Sequence, residues 1–265
     1  MRLILALAVS ILAATSAAAS DLPCGGEIPC TLGERSYHVL PPDGWDGETP
    51  LPVLLHFHGW GRVGGHVLKN GRIAAHTRRR GVLLVAPDGE RRTWDFWRAQ
   101  SPDVVFTEAV LDDVARRFPV DRAHVYVSGY SYGAAMAWRF ACERGGRITG
   151  LLAVAGTLPQ ATDCPEAPRV VRHVHGLTDT VLDFPFGPHG EDSGAVALWR
   201  AHLGCGAGED GGSYSIRPFL TISRMSWDCA RGHVTLDTHP GGHFIPHGWF
   251  GWQLDQLMGR PPVYP

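Results

Sequence analysis

The chain has 265 residues, a formal net charge of −2 and 44% apolar residues. This is an ordinary globular composition, and it excludes the strongly basic surface that binding to nucleic acid or to an anionic membrane requires. The length suits one well-buried domain after removal of an N-terminal targeting segment.

The first twenty residues are predicted to be a secretory signal peptide. Residues 1–2 form a short basic start, residues 3–14 are apolar, and residues 17–20 are small enough for cleavage after Ala19 or Ser20. The apolar run is too short to span a membrane. We therefore expect a secreted protein, periplasmic or extracellular, whose residues 21–265 form a single domain.

Six cysteines follow this segment, and an even number in an exported chain indicates disulfides. Closeness in sequence and the order of the predicted elements favour the pairs Cys24–Cys30, Cys142–Cys164 and Cys205–Cys229. A zinc site is the alternative, but the spacing lacks the paired C-x-x-C pattern of such sites.

Apolar strand-like runs alternate with helical stripes along the rest of the chain. The predicted strands are residues 36–40 (an edge strand), 53–57, 82–86, 124–127, 151–154, 170–174 and 234–238. The predicted helices are residues 103–118, 134–142, 194–203 and one within 249–258. This alternation predicts an α/β fold, a mostly parallel sheet with helices on both faces. Chemistry in such sheets gathers at the carboxyl ends of the strands.

The segment from Val125 to Ala137 carries the most specific chemical signal. An apolar strand runs into the Gly-x-Ser-x-Gly pattern around Ser131, and an alanine-rich helix follows. This strand–turn–helix context is that of a nucleophile elbow, in which a tight turn exposes the serine hydroxyl at a helix N-terminus. An ordinary loop with an N-capping serine is the alternative interpretation.

Two further residues lie just beyond predicted strands and complete a triad. Asp179 follows the strand 170–174, and His243 follows the strand 234–238. The chain order Ser131, Asp179, His243 is that of α/β-hydrolases. His243 is predicted to act as general base and then general acid, while Asp179 fixes its tautomer and stabilises its positive charge. Asp183 is an alternative acid, and Asp237, inside a predicted strand, is expected to be structural.

A metal site formed by histidines is the alternative to this triad, and the sequence disfavours it. His239 and His247 flank His243 at four-residue steps, which would match one face of a helix. The intervening Pro240-Gly241-Gly242 disfavours a helix there. A histidine without a partner in a glycine-rich loop is the remaining alternative for His243.

Two backbone N–H groups are predicted to form an oxyanion hole. The first belongs to Tyr132, the residue after the nucleophile. The second is assigned to Trp60 in the turn that follows the strand 53–57, with Gly59 or Gly61 as one-residue alternatives. Such donors stabilise the negative oxygen of a tetrahedral intermediate. The alternative for His58-Gly59 is an ordinary turn without a catalytic role.

These segments together resemble the esterase family of polyhydroxybutyrate depolymerases, which also holds feruloyl and acetylxylan esterases. The resemblance spans about residues 35 to 258 and rests on His58-Gly59, the helix from Asp103 through Asp113, Val125 to Gly133, His175 to Val181, and Gly241 to His243. It implies an α/β-hydrolase fold without a separate lid domain, a Ser–Asp–His triad, and no metal or organic cofactor. Family members also tend to carry cysteines around the elbow helix and before the histidine strand.

The resemblance also frames the expected substrate. Tyr132 stands where the family often has a small or amide residue, so its side chain is expected to narrow or re-aim the acyl pocket. No linker or polymer-binding domain is visible, which favours hydroxyalkanoate oligomers, such as those of hydroxybutyrate, or feruloyl and acetyl esters of plant polysaccharide. A serine peptidase on the same scaffold and a non-catalytic hydrolase-like binding protein are the alternatives. The aromatic residues predicted to line the cleft are Trp94, Trp97 and Phe184, with Trp60 and Phe96.

Overall fold

A central sheet organises the described part of the molecule. The computed structural model describes residues 24–158, 164–187 and 191–264, so the predicted signal peptide, residues 1–20, lies outside the described residues. The strands are Cys30–Leu32 (β1), Arg35–Leu40 (β2), Leu51–Phe57 (β3), Leu83–Pro87 (β4), Val120–Tyr130 (β5), Gly150–Val154 (β6), Val170–Gly176 (β7), Glu209–Arg217 (β8), Leu220–Cys229 (β9) and Gly232–His239 (β10).

The strand order within this sheet is β1-β2-β4-β3-β5-β6-β7-β10-β9-β8. The central strands β4, β3, β5, β6, β7 and β10 are parallel, and two antiparallel strands flank them on each side. The predicted mostly parallel sheet is therefore confirmed. All carboxyl ends of the parallel strands lie at one edge, where the loops after β3, β5, β7 and β10 meet.

Helices cover both faces of the sheet. They are Gly64–Leu68 (α1), Ala74–Arg78 (α2), Pro102–Arg117 (α3), Tyr132–Arg144 (α4), Ala197–Leu203 (α5) and Trp249–Leu257 (α6). Helices α3, α4 and α5 contribute to one apolar cluster, while α1, α2 and α6 contribute to the other. Adjacent residues of β3 divide between the clusters, since Leu54 and Leu55 are both fully buried on opposite faces.

The helix α3 illustrates why the predicted elements form where they do. The Ser101 hydroxyl accepts a hydrogen bond from the Val104 N–H, and Pro102 occupies the first turn, where a missing N–H costs nothing. Its buried side, which includes Val104, Val110 and Val114, packs against the sheet. The predicted helix thus begins one residue earlier than expected and ends one residue earlier.

Two features of the sheet differ from the sequence-based predictions. The strand predicted as an edge is β2, and β1 pairs outside it, so β2 is not an edge. The hairpin of β8 and β9 was not predicted at all. Strand β8 is largely exposed and contains Gly211-Gly212, so it has neither an apolar run nor a strict alternation to indicate a strand.

Three disulfides tie the ends of elements together, and they join the pairs that the sequence favoured. Cys24–Cys30 links the N-terminal segment to β1, Cys142–Cys164 links α4 to the segment before β7, and Cys205–Cys229 links the end of α5 to β9. Such bonds are typical of proteins in oxidising compartments. No helix in the described ranges is long and apolar enough to cross a membrane.

Candidate active site

Ser131 lies at a strained turn between β5 and α4. Its backbone has φ 60° and ψ −126°, a conformation that side-chain-bearing residues rarely adopt. The turn is held because the Ser131 N–H donates to the Val154 carbonyl at 3.0 Å and the Ser131 carbonyl accepts from the Ala134 N–H at 2.8 Å. The hydroxyl is thereby presented at the first turn of a 13-residue helix.

Glycines on both sides of Ser131 allow this turn to exist. A methyl group at Gly133 would lie 2.1 Å from the Phe57 carbonyl oxygen and 2.6 Å from that of His58. A methyl group at Gly129 would lie 2.1 Å from the Gly133 carbonyl oxygen. The Gly-x-Ser-x-Gly pattern therefore reflects close backbone contacts of the start of α4 with the ends of β3 and β5.

The structure brings Ser131, His243 and Asp179 together. His243 Nε2 lies 2.9 Å from Ser131 Oγ, and His243 Nδ1 lies 2.6 Å from Asp179 Oδ2. Both distances are hydrogen-bond distances, and they connect residues 112 and 64 positions apart in sequence. Asp183, the alternative acid, is exposed, and it is Asp179 that contacts the imidazole.

Asp179 is buried and held as a carboxylate. Burial by itself would raise the pKa of Asp179. The hydrogen bonds from His243, Val181 N–H and Leu182 N–H outweigh burial and hold the pKa below its ordinary value. An ionised acceptor at this position requires the proton of His243 to reside on Nδ1, which leaves Nε2 free to accept the hydroxyl proton.

Two residues that sequence reasoning missed support the acid–base pair. The Tyr130 hydroxyl donates to the His243 carbonyl at 2.9 Å, and its ring packs against the imidazole. His175 Nε2 lies 2.8 Å from the Leu182 carbonyl and 3.3 Å from Asp179 Oδ2, so it carries a proton and bridges the ends of the acid loop. The sequence signal for both is position alone: Tyr130 adjoins the nucleophile, and His175 directly follows the predicted strand 170–174.

The loop after β3 presents the candidate oxyanion donors. In the described ranges, the N–H groups of Trp60 and Tyr132 have no hydrogen-bond partner, and neither does that of Gly59. The Gly61 N–H donates to the Arg92 carbonyl at 2.8 Å, which removes Gly61 from the alternatives. The assignment of Trp60 and Tyr132 as oxyanion donors therefore stays a prediction, with Gly59 as the alternative to Trp60.

His58 and Trp94 fix the conformation of this loop. The His58 Nε2 accepts from the Gly89 N–H at 3.1 Å, so its Nδ1 carries the proton and donates to the Gly59 carbonyl at 2.9 Å. Burial lowers the pKa of His58, which favours this neutral form. The Trp94 indole N–H donates to the His58 carbonyl at 2.7 Å.

A cleft of about 580 Å³ opens above Ser131 and His243. Its volume lies within the range of pockets that bind small molecules. The apolar part of its lining consists of Val67, Ile73, Val181 and Ile245, with Trp60 at the rim. Trp60 is 70% exposed, so its indole is available to a bound ligand.

The other predicted aromatic contacts have different positions. Trp94 and Phe184 are buried in the core, only 2% and 5% exposed, so the prediction that they line the cleft is wrong. Phe96 is also buried, beneath Trp97 and Tyr132. Trp97 is exposed but stands outside the set that lines the cleft, as does the Tyr132 ring. The expected narrowing of this cleft by Tyr132 is therefore not observed.

Several histidines outside the triad are buried and neutral. Burial lowers the pKa of His56 to about 3, and burial, with an electrostatic interaction with His175 acting in the same direction, lowers that of His239 to about 4. Hydrogen bonds account for both rings: His56 Nδ1 lies 2.8 Å from Ser128 Oγ, and His239 Nδ1 accepts from the Gly241 N–H at 3.1 Å. His239, His243 and His247 share no helix, and the described ranges contain no cluster of His, Cys, Asp and Glu that could hold a metal ion.

Asp237 has the structural role that its position in a strand predicted. Its carboxylate accepts hydrogen bonds from Arg224, the Trp249 indole and the Tyr214 hydroxyl. These contacts connect β10 to the β8–β9 hairpin and to α6. The Asp237 side chain is fully buried, and His243 is not among its hydrogen-bond partners.

Comparison of the sequence with known proteins finds relatives but no matching family model. The chain is 27% identical over 169 residues to feruloyl esterase C of Emericella nidulans, a match that covers 60% of this chain and 62% of that protein. It is 25% identical over 206 residues to feruloyl esterase D of Neurospora crassa, which covers 69% and 70% of the two chains. The chain spans about three fifths of the length of the first curated relatives that it matches.

Solved structures share the fold. An acetyl xylan esterase from Aspergillus awamori superposes with a TM-score of 0.60 at 14% identity, covering 85% of this chain and 94% of that one. The carboxylesterase of Bacillus cereus superposes with a TM-score of 0.56 at 16% identity, covering 86% and 95%. The chain therefore has the fold of these solved esterase structures and is similar in sequence to feruloyl esterases, which confirms the resemblance indicated by its motifs.

Proposed function

We propose that the chain is an exported serine esterase that hydrolyses carboxylic esters through an acyl-enzyme intermediate. The observation that carries this proposal is the continuous hydrogen-bond chain from Ser131 Oγ through His243 to Asp179 at the floor of an accessible cleft. Its residue types, order and distances are those of a nucleophile, a general base and an orienting carboxylate.

The first half of the reaction transfers the acyl group to the protein. Ser131 Oγ attacks the ester carbonyl carbon while His243 Nε2 takes the hydroxyl proton. The carbonyl oxygen becomes negative and is stabilised by the N–H groups of Trp60 and Tyr132. When the tetrahedral intermediate collapses, the bond to the alcohol oxygen breaks and His243 returns the proton to the departing alcohol.

The second half repeats these steps with water. His243 takes a proton from a water molecule, whose oxygen attacks the acyl carbon bound to Ser131. Collapse of the second intermediate releases the carboxylic acid and returns the proton to Ser131 Oγ. Asp179 stays ionised throughout and stabilises the imidazolium in both halves.

Relatives and the cleft guide the substrate assignment. Feruloyl esterases among the relatives favour feruloyl or acetyl esters of plant polysaccharide over hydroxyalkanoate oligomers. The apolar lining with an exposed indole at the rim suits an aromatic or short aliphatic group. The disulfides and the predicted signal peptide support an extracellular or periplasmic location, with residues 21–265 acting as one catalytic domain.

The test is hydrolysis of p-nitrophenyl esters, acetate through octanoate, and of methyl ferulate by the mature protein. We expect turnover that the Ser131→Ala variant lowers by at least about 10³-fold, since the nucleophile is lost. The chain-length profile measures the acyl pocket. Ser215→Ala, an exposed serine of β8, is the matched control and should retain full activity.

Two outcomes would contradict the proposal. A folded wild-type protein without activity on any of these esters would favour the peptidase or the binding-protein alternative. Hydrolysis that persists in Ser131→Ala would mean that another residue is the nucleophile. Relative rates on peptide and ester substrates separate a peptidase from an esterase.

A further inference from the structure

One wall of the cleft is lined by basic residues. The segment between the oxyanion loop and α2 contributes Arg62, His66 and Lys69 to the lining, and all three are exposed. The described residues that line the cleft include no aspartate or glutamate. This contrasts with the chain as a whole, in which acidic residues slightly outnumber basic ones to give a formal net charge of −2.

Arg62 is tied to the reacting centre through the backbone. Its N–H donates to the Gly59 carbonyl at 3.2 Å, which closes a turn at the end of the oxyanion loop. Gly59 itself packs beside the nucleophile, since a methyl group there would lie 3.8 Å from Ser131 Cβ. Within the described ranges, the Arg62 guanidinium has neither a hydrogen bond nor an ion pair.

The neighbouring acids leave this positive charge uncompensated. Asp88 is committed elsewhere, accepting from the Gly64 N–H at 2.7 Å and the Ser36 hydroxyl at 2.6 Å. Glu27 lies 3.2 Å from Lys69, but both side chains are more than 70% exposed, so the pair is screened and weak. No acidic side chain in the described ranges forms an ion pair with Arg62.

We propose that the cleft selects esters whose acyl or alcohol part carries a carboxylate, with Arg62 as the specificity-determining residue. The inference rests on the proposed esterase function and specifies its substrate class. A guanidinium binds a carboxylate through two parallel hydrogen bonds, and an unpaired one at the mouth of a cleft also attracts anions before they dock. The apolar residues Val67, Ile73 and Ile245 then hold the uncharged body of the substrate.

Two pairs of probes test the inference, each differing in one charge. For the alcohol part the pair is 4-acetoxybenzoate and 4-acetoxybenzamide. For the acyl part it is the 4-nitrophenyl monoester of adipic acid and the terminal amide of the same ester. The measured quantity is the ratio of kcat/KM for the anionic probe to that for the neutral probe, which cancels any effect common to both.

We expect a ratio above one for at least one pair, which also tells which part of the substrate meets Arg62. Arg62→Gln should lower that ratio roughly fivefold, the scale of an ion pair that is partly shielded from water. Added salt should lower the wild-type ratio by screening and lower the Arg62→Gln ratio less, because only the charge of Lys69 then remains on this wall. Arg231→Gln, an exposed arginine at the opposite end of β10, should behave as wild type.

The inference is overturned if the wild type prefers the neutral probe in both pairs, or if Arg62→Gln leaves the ratio unchanged. In either case hydrolysis of the neutral probes still supports the esterase. If the folded wild type hydrolyses none of the four probes, the esterase proposal and this inference fail together. Activity on the neutral probes therefore distinguishes the two failures.

Discussion

Ser131 and the loop of Trp60 follow β5 and β3, where backbone segments touch so closely that Gly133 has no space for a methyl group. Asp179 and His243 follow β7 and β10, where the chain is held by hydrogen bonds from Tyr130, His175 and the Leu182 N–H. The nucleophile side is thus fixed by shape and the acid–base side by polar contacts. Close backbone packing on the nucleophile side leaves no space for a larger side chain. The hydrogen bonds on the acid–base side are more sensitive to a change in charge or protonation than to a change in size.

The comparison predicts that an isosteric change is most harmful on the acid–base side. Asp179→Asn keeps the size of the side chain but removes the charge and favours the wrong histidine tautomer. We expect kcat on p-nitrophenyl acetate to fall by about 10³- to 10⁴-fold with little change in thermal stability. Asp183→Asn, which removes an exposed carboxylate from the same loop, should remain within about twofold of wild type. Equal losses in the two variants would contradict the assignment of Asp179.

On the nucleophile side a single added methyl group should be the damaging change. Gly133→Ala would place a carbon against the Phe57 and His58 carbonyls, so β3 and α4 must separate. We expect the free energy of unfolding to fall by about 3 kcal/mol or more, measured by urea denaturation. Gly206→Ala is the control, because its position is open, and it should change stability by less than about 0.5 kcal/mol. If Gly133→Ala were as stable as wild type, β3 and α4 could separate at this position without a measurable cost in stability.

Acid stability is where the two sides should behave alike, because each buries a neutral histidine. The pKa is lowered to about 3 for His56 and to about 4 for His239, against an ordinary value of about 6.5. Between about pH 6.5 and 4 the unfolded chain binds more protons than the folded one, so stability falls as pH decreases through this window. We expect a slope of up to about 1.4 kcal/mol per pH unit from each residue.

Denaturation curves at several pH values check this expectation. His56→Asn and His239→Asn should each make the dependence of stability on pH shallower, while Ser215→Ala, an exposed position without a titratable side chain, should not. If only one of the two buried histidines affects the slope, the two sides differ in acid stability as well. A pH-independent wild type between pH 6.5 and 4 would rule out both contributions.

Sequence patterns identify features that depend on local backbone geometry. The elbow around Ser131 could be predicted because its glycines and flanking elements are adjacent in the chain. Asp179 could be predicted from its place after a strand, although only the folded chain distinguishes it from Asp183. The parallel core follows from continuous apolar strands, whereas β8 could not be predicted, because its residues are polar and exposed.

Features that depend on distant neighbours were missed or mistaken. Trp94 was predicted to line the cleft, but residue type does not tell whether an indole faces a ligand or the core. The role of Tyr130 depends on the His243 carbonyl, 113 residues away. The sequence does not show that Arg62 lacks an acidic partner, because the acids near it are set by the fold. Composition, with its balanced charges, hides a local excess of one sign.

The two edge strands of the sheet affect whether molecules of this protein associate with one another at high concentration. A long sheet with unpaired outer strands can template the addition of another chain. Here one border is β1, only three residues long, and the other is β8, which begins with Glu209 and Asp210. Its pairing register shifts between Asp210 and Ser213, where Gly212 has φ 72°. The β8–β9 hairpin thus offers a neighbouring molecule a charged and interrupted border, a feature that disfavours pairing between sheet edges.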